Sequence, residues 1–155
     1  MSTTTSTSEE ISTFTIRKET QIAAPIEIAF EALLDELGPE GQGPGGESLS
    51  MKLEPWPGGR WYRNLGNNTG HLWGHVQVIK PPKLLEITGP LPMSYPVANH
   101  LQYRLKEENG GTLLTFQHRA MGLILPEHRD GMPDGWEHWS DRIRQLAERR
   151  AQAKR

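Results

Sequence analysis

The stretch that decides the fold is Ile16–Leu34, IRKETQIAAPIEIAFEALL. Phe14, Ile16, Lys18, Thr20 and Ile22 alternate with polar neighbours, the period of a strand with one face turned inward. Ala23-Ala24-Pro25 stops that strand, and Pro25, which has no N–H to satisfy, suits the opening turn of a helix. Ile26, Phe30, Leu33 and Leu34 then follow at spacings of four, three and one, the apolar face of a short helix.

Working outward, residues 38–46 (GPEGQGPGG) cannot hold regular structure. They read as a flexible loop rather than a domain linker, because neither flank is long enough to fold alone. Short strands follow. Met51 and Leu53 alternate before the turn Pro55-Trp56-Pro57-Gly58-Gly59, and the chain re-enters a strand over 60–64. Residues 70–79 form the next, stopped by Pro81-Pro82, and 84–88 another, ended by Gly89-Pro90. Leu101, Tyr103 and Leu105 share one face of 100–106, Asn109-Gly110-Gly111 makes a hairpin turn, and Leu114 and Phe116 share one face of 112–118. A polar stretch with Pro126 and Pro133 leads to a long helix over 135–150, where Trp136, Trp139, Ser140, Ile143, Leu146 and Ala147 recur at helical spacing. The order predicts an α+β domain, an antiparallel sheet of about six strands covered on one face by helices.

Composition bounds the function. A chain of 155 residues fits one domain. Lys and Arg total 17 against 19 Asp and Glu, which excludes the strongly basic face that nucleic-acid binding normally needs. Without cysteine there is no disulfide framework, thiolate metal site or cysteine nucleophile. No apolar run approaches the roughly 20 residues of a membrane span, and no secretory signal opens the chain, so a cytoplasmic location is expected. The organisation expected is a disordered Ser/Thr-rich tail over 1–10, the domain over 11–150 and a basic end over 151–155.

Several of these motifs carry a family resemblance. Ile16–Leu34 resembles the opening of the SRPBCC, or START-like, superfamily. Pro57-Gly58-Gly59-Arg60-Trp61, Gly74 and Val76 with Pro81-Pro82 and Leu85, and Thr115-Phe116-Gln117-His118 are similar to its later motifs. Gly135-Trp136-Glu137-His138-Trp139 with Ile143 resembles the start of its C-terminal helix. The likeness is strongest to the branch named after the Activator of Hsp90 ATPase homologue. It implies a helix-grip fold, a curved antiparallel sheet of about six to seven strands wrapped around the long C-terminal helix with an apolar cavity between them. The family's second-helix region is replaced here by the loop 38–46, and either that loop or 89–96 could gate the cavity.

Leu53, Trp61, Ile87, Leu101, Tyr103, Phe116, His118, Trp136, Trp139 and Ile143 are the pocket candidates. His118 continues the inner face of Leu114 and Phe116, where an imidazole could orient a ligand or act as a base, or simply cap the strand. Tyr103 would add a second polar group to apolar walls, as small-molecule pockets do. The tryptophans serve equally well as core packing. His71 and His75 lie four apart along a strand, about 13 Å at roughly 3.3 Å per residue, too far apart to share one ion. No metal site is expected, no cofactor and no catalytic residue, because no carboxylate is placed to orient His118.

The reading favoured is binding of a small hydrophobic molecule, with no nucleic acid, no membrane insertion and a homodimer possible but unargued. The first alternative is a polyketide cyclase or aromatase-like enzyme using His118 as acid/base. The second is a chaperone-associated interaction domain, disfavoured because only about ten residues precede the fold.

Overall fold

The computed structural model describes residues 1–154. Its elements run β1 (Ser12–Ile22), α1 (Ile26–Leu37), β2 (Met51–Leu53), β3 (Arg60–Gly66), β4 (Thr69–Lys80), β5 (Leu84–Gly89), β6 (Val97–Glu108), β7 (Gly111–Gly122) and α2 (Pro126–Ala153). The strands form one antiparallel sheet in the order β1-β7-β6-β5-β4-β3-β2. From β2 to β7 each strand pairs with the next, which short loops allow. β1 closes the series beside β7 in a register running from Ser12 opposite Gly122 to Ile22 opposite Thr112. The expected α+β helix-grip architecture is present, with seven strands.

That order puts β1 and β2, neighbours in sequence, on opposite edges of the sheet. The connection must cross six inter-strand gaps of about 4.8 Å each, whereas a helix of 12 residues reaches only about 18 Å. The loop after α1 supplies the rest, which is why a glycine-rich stretch interrupts the pattern there. The loop expected to be flexible makes hydrogen bonds of its own. Leu49 N–H donates to the Gly41 carbonyl (3.1 Å), His138 Nε2 lies 3.1 Å from the Gln42 carbonyl, and Arg142 Nη2–H donates to the Glu40 carbonyl (3.3 Å). Two of these partners, His138 and Arg142, are polar groups of α2, which apolar periodicity cannot reveal.

The hairpin at Asn109-Gly110 takes positive φ at both residues (53° and 75°), the left-handed geometry that matches strand twist and that Asn and Gly tolerate. Register shifts at Trp61/Tyr62 and between Val76 and Val78 bend β3 and β4, so the sheet curves over the helices. Along β6 and β7 burial alternates cleanly, with Leu101, Tyr103, Leu105, Leu114, Phe116 and His118 on the inner face.

α2 begins nine residues before the expected position 135. Pro126 occupies its first turn, where a missing N–H costs nothing. Pro133 removes the bond to the Arg129 carbonyl, at a point where the helix is exposed and water can serve that group. From Pro126 to Gly135 only His128 and Met132 are even half-buried, so this segment shows no apolar period. The basic end expected over 151–155 begins as the last turn of α2, and Arg155 lies outside the described residues. Residues 1–11 carry no helix or strand. Among the described residues no helix is long and apolar enough to cross a membrane.

Candidate functional site

The inner face of the sheet and the facing side of α2 bring together nine of the ten candidate residues. Trp61, Ile87, Leu101, Tyr103, Phe116, His118 and Ile143 are all under 2% exposed, and Trp136 and Trp139 are buried on the facing side of α2. Leu53, on the short edge strand β2, is half-buried at the margin. The aromatic rings touch in one continuous series. Tyr103 stacks on Phe116 (4.8 Å between centroids), Phe116 meets Trp136 edge-on (4.7 Å), Trp136 stacks on Trp139 (5.6 Å) and Trp139 packs against Trp61 (5.8 Å). Trp73, which sequence reasoning did not single out, completes a triangle with Trp61 (5.1 Å) and Trp139 (6.2 Å), near-perpendicular to both.

Two of these indoles anchor the end of α1. Trp61 Nε1–H donates to the Leu37 carbonyl (2.6 Å) and Trp139 Nε1–H to the Glu36 carbonyl (2.8 Å), satisfying acceptors that a helix C-terminus leaves open. The Glu36 side chain is itself only 1% exposed and accepts from Arg142 Nε–H (2.8 Å) and Nη2–H (3.3 Å). A carboxylate so deep is tolerable only because it is paired.

At the other end of the interior a polar relay joins three elements. Trp136 Nε1–H lies 2.9 Å from His118 Nδ1, and an indole nitrogen can only donate, so Nδ1 accepts. The neutral ring then carries its proton on Nε2, which donates to Asn99 Oδ1 at 2.7 Å. Asn99 Nδ2–H in turn donates to the carbonyls of Gly89 (3.1 Å) and Pro90 (3.3 Å). Burial pushes His118 down to about 4, so the imidazole is neutral at physiological pH. Both its nitrogens are already committed within the chain. Burial also pushes the Tyr103 phenol up, so it stays protonated. The carboxyls with displaced pKa values lie elsewhere. Hydrogen bonds from Arg60 hold Glu54 down at about 2. At Glu86 burial works upward, yet hydrogen bonds from His100 and Gln102 keep it below the usual range. The interior thus offers apolar walls and fixed donors, and no arranged acid/base pair.

Its margin is formed by the 89–96 loop and the exposed first turns of α2. Tyr95 and His128 join them, with the hydroxyl 2.7 Å from Nδ1 and the rings stacked at 5.5 Å. Both sit in segments without periodicity, so the sequence gives no sign that they meet. Asn99 was legible in principle, because it lies two residues before Leu101 on the same face.

The model of the family described as Activator of Hsp90 ATPase homolog 1-like protein matches residues 23–148. The chain belongs to this family. Solved structures share the fold. An uncharacterized protein from Rhizobium leguminosarum is 21% identical, with 92% of this chain and 99% of the other aligned at a TM-score of 0.72. The AHSA1-like protein of Rhizobium etli is 29% identical over 88% of this chain and 83% of its own (TM-score 0.57). The Aha1 dimer from Colwellia psychrerythraea is 16% identical over 87% and 96% (TM-score 0.64). No curated protein matches the chain. The AHSA1-like fold, a branch of the SRPBCC superfamily, is consistent with ligand binding.

Proposed function

We propose that this AHSA1-like domain binds a small hydrophobic molecule between the inner face of the sheet and α2, and performs no chemistry on it. The observation that carries the reading is Trp73 Nε1, a buried indole donor with no acceptor, held against Trp61 and Trp139. An unpaired buried donor costs about 1–3 kcal/mol, which a ligand oxygen placed there would recover. Admission requires a side to open, and the first turns of α2 supply one. They are exposed, contain Gly131, Pro133 and Gly135, and are held to the 89–96 loop through Tyr95 and His128. Against an enzyme using His118 stands the relay, in which a base would first have to surrender the Trp136 bond.

The test is native mass spectrometry of protein purified gently from its own host, compared with the denatured mass. A reproducible excess that disappears on denaturation, and is reduced in Trp73→Phe, supports the reading. A bare mass, with tryptophan emission unmoved by a panel of apolar alcohols and ketones, overturns it.

A further inference from the structure

A hollow of about 720 Å³ lies on the opposite face of the sheet from α2. Its side chains come from outward positions of β1, β7, β6 and β5. Thr15, Arg119, His100 and Thr88 stand directly opposite one another across four strands, and two residues further along lies the row Thr13, Met121 and Ala98. A smaller hollow of about 320 Å³ shares Val97, Ala98 and Met121 and extends past Ile11 and Leu123, so the two form one groove. From the Arg119 row to Leu123 the groove runs about 13 Å at roughly 3.3 Å per residue.

The groove is chemically two-ended. Its outer end is apolar, and Met121 and Ile11 are 56% and 70% exposed, unusual for such large side chains. Its inner end is cationic and hydroxyl-lined. Arg119 has no carboxylate partner among the described residues. Its neighbour His100 is already taken by Glu86 at 2.9 Å, so a single guanidinium is left at that end. Glu86 sits on the next outward row, opposite Gln102, and its negative charge disfavours a ligand carrying more than one anionic group. One planar guanidinium fork matches one carboxylate.

We propose that this groove is a second binding site, separate from the interior, that takes an amphipathic monocarboxylate with its head on Arg119 and the hydroxyl of Thr15 and its chain along Thr13, Ala98, Val97 and Met121. Most of the contact area is apolar, and the guanidinium supplies orientation and selects the acid over the neutral analogue.

The experiment titrates the full-length protein, labelled at its methionine methyl groups with carbon-13, with dodecanoate below its micelle-forming concentration. Met121 lines the groove, whereas Met51, Met93 and Met132 are packed in or against the interior, so the signals report the two places separately. The expected result is a saturable shift of Met121 with Met51, Met93 and Met132 unmoved, about tenfold weaker binding of dodecanol, and a similar loss for dodecanoate in Arg119→Gln. Arg119 is exposed, so that variant keeps its core. A stationary Met121, equal affinity for acid and alcohol, or dodecanoate binding untouched by Arg119→Gln overturns the proposal. Shifts confined to Met93 and Met132 overturn it too and place the fatty chain in the interior.

Discussion

His118 makes stability depend on acidity in a direction that its surroundings dictate. In the unfolded chain its imidazole titrates near about 6.5, whereas burial holds the folded residue at about 4. Below the unfolded value the unfolded chain takes up a proton that the native state refuses. The stabilisation is therefore complete above pH 6.5, is lost progressively as the pH falls, and has gone by about pH 4. Between pH 7 and pH 4 the loss from this one residue amounts to about 3 kcal/mol. With a urea m-value of roughly 2 kcal/mol/M, the midpoint falls by about 1.5 M. The assay is urea unfolding at fixed ionic strength at a series of pH values across that window, on the wild type and on His118→Gln. The variant is weaker at neutral pH, because it loses the ring packed edge-on against Phe14 and Trp136. It lacks the titrating ring, so its curve is the flatter one. The two curves converge as the pH drops. If they stay parallel from pH 7 to pH 4, the imidazole is not held neutral by its site and the relay as drawn is wrong.

Asn99→Leu strands the buried His118 Nε2–H and frees the Gly89 and Pro90 carbonyls; unfolding by urea is expected to show a loss of about 2–4 kcal/mol. Arg142→Met leaves Glu36 charged and nearly fully buried, and should cost about 3–5 kcal/mol, while adding Glu36→Leu restores most of it, measured as a double-mutant cycle. Thr20 Oγ1 is buried without a partner, so Thr20→Val should change the thermal midpoint little or raise it; a loss above about 1 kcal/mol would mean the hydroxyl is bonded after all.

The elements with one buried face were readable from spacing alone. β1, β6, β7 and the second half of α2 announce themselves because every second residue, or every third and fourth, faces the core. The first turns of α2 did not, since an exposed helix leaves no apolar period and its two prolines read as breakers. The site was partly legible for the same reason. Of its ten candidates, Trp61, Ile87, Leu101, Tyr103, Phe116 and His118 follow from strand alternation and Trp136, Trp139 and Ile143 from helical spacing, but Trp73 is the extra residue between the pairs Trp61–Gly74 and Tyr62–Leu72, where parity alone gives no clear assignment. The partners that fix the polar chemistry were out of reach. Nothing in the local sequence says that Glu36 will meet Arg142, or that Asn99 will turn His118 from a free base into a committed link.

That relay also has a consequence for motion. It ties the carbonyls of the 89–96 loop, through β6 and β7, to an indole on α2, with no water-facing member between them. Breaking any one bond strands a buried polar group beside it, so partial release is more costly than release of the whole. The loop and the exposed turns of α2 therefore behave as one cooperative unit. In hydrogen–deuterium exchange their amides should gain and lose protection together, at a single opening free energy below that of the strands between them.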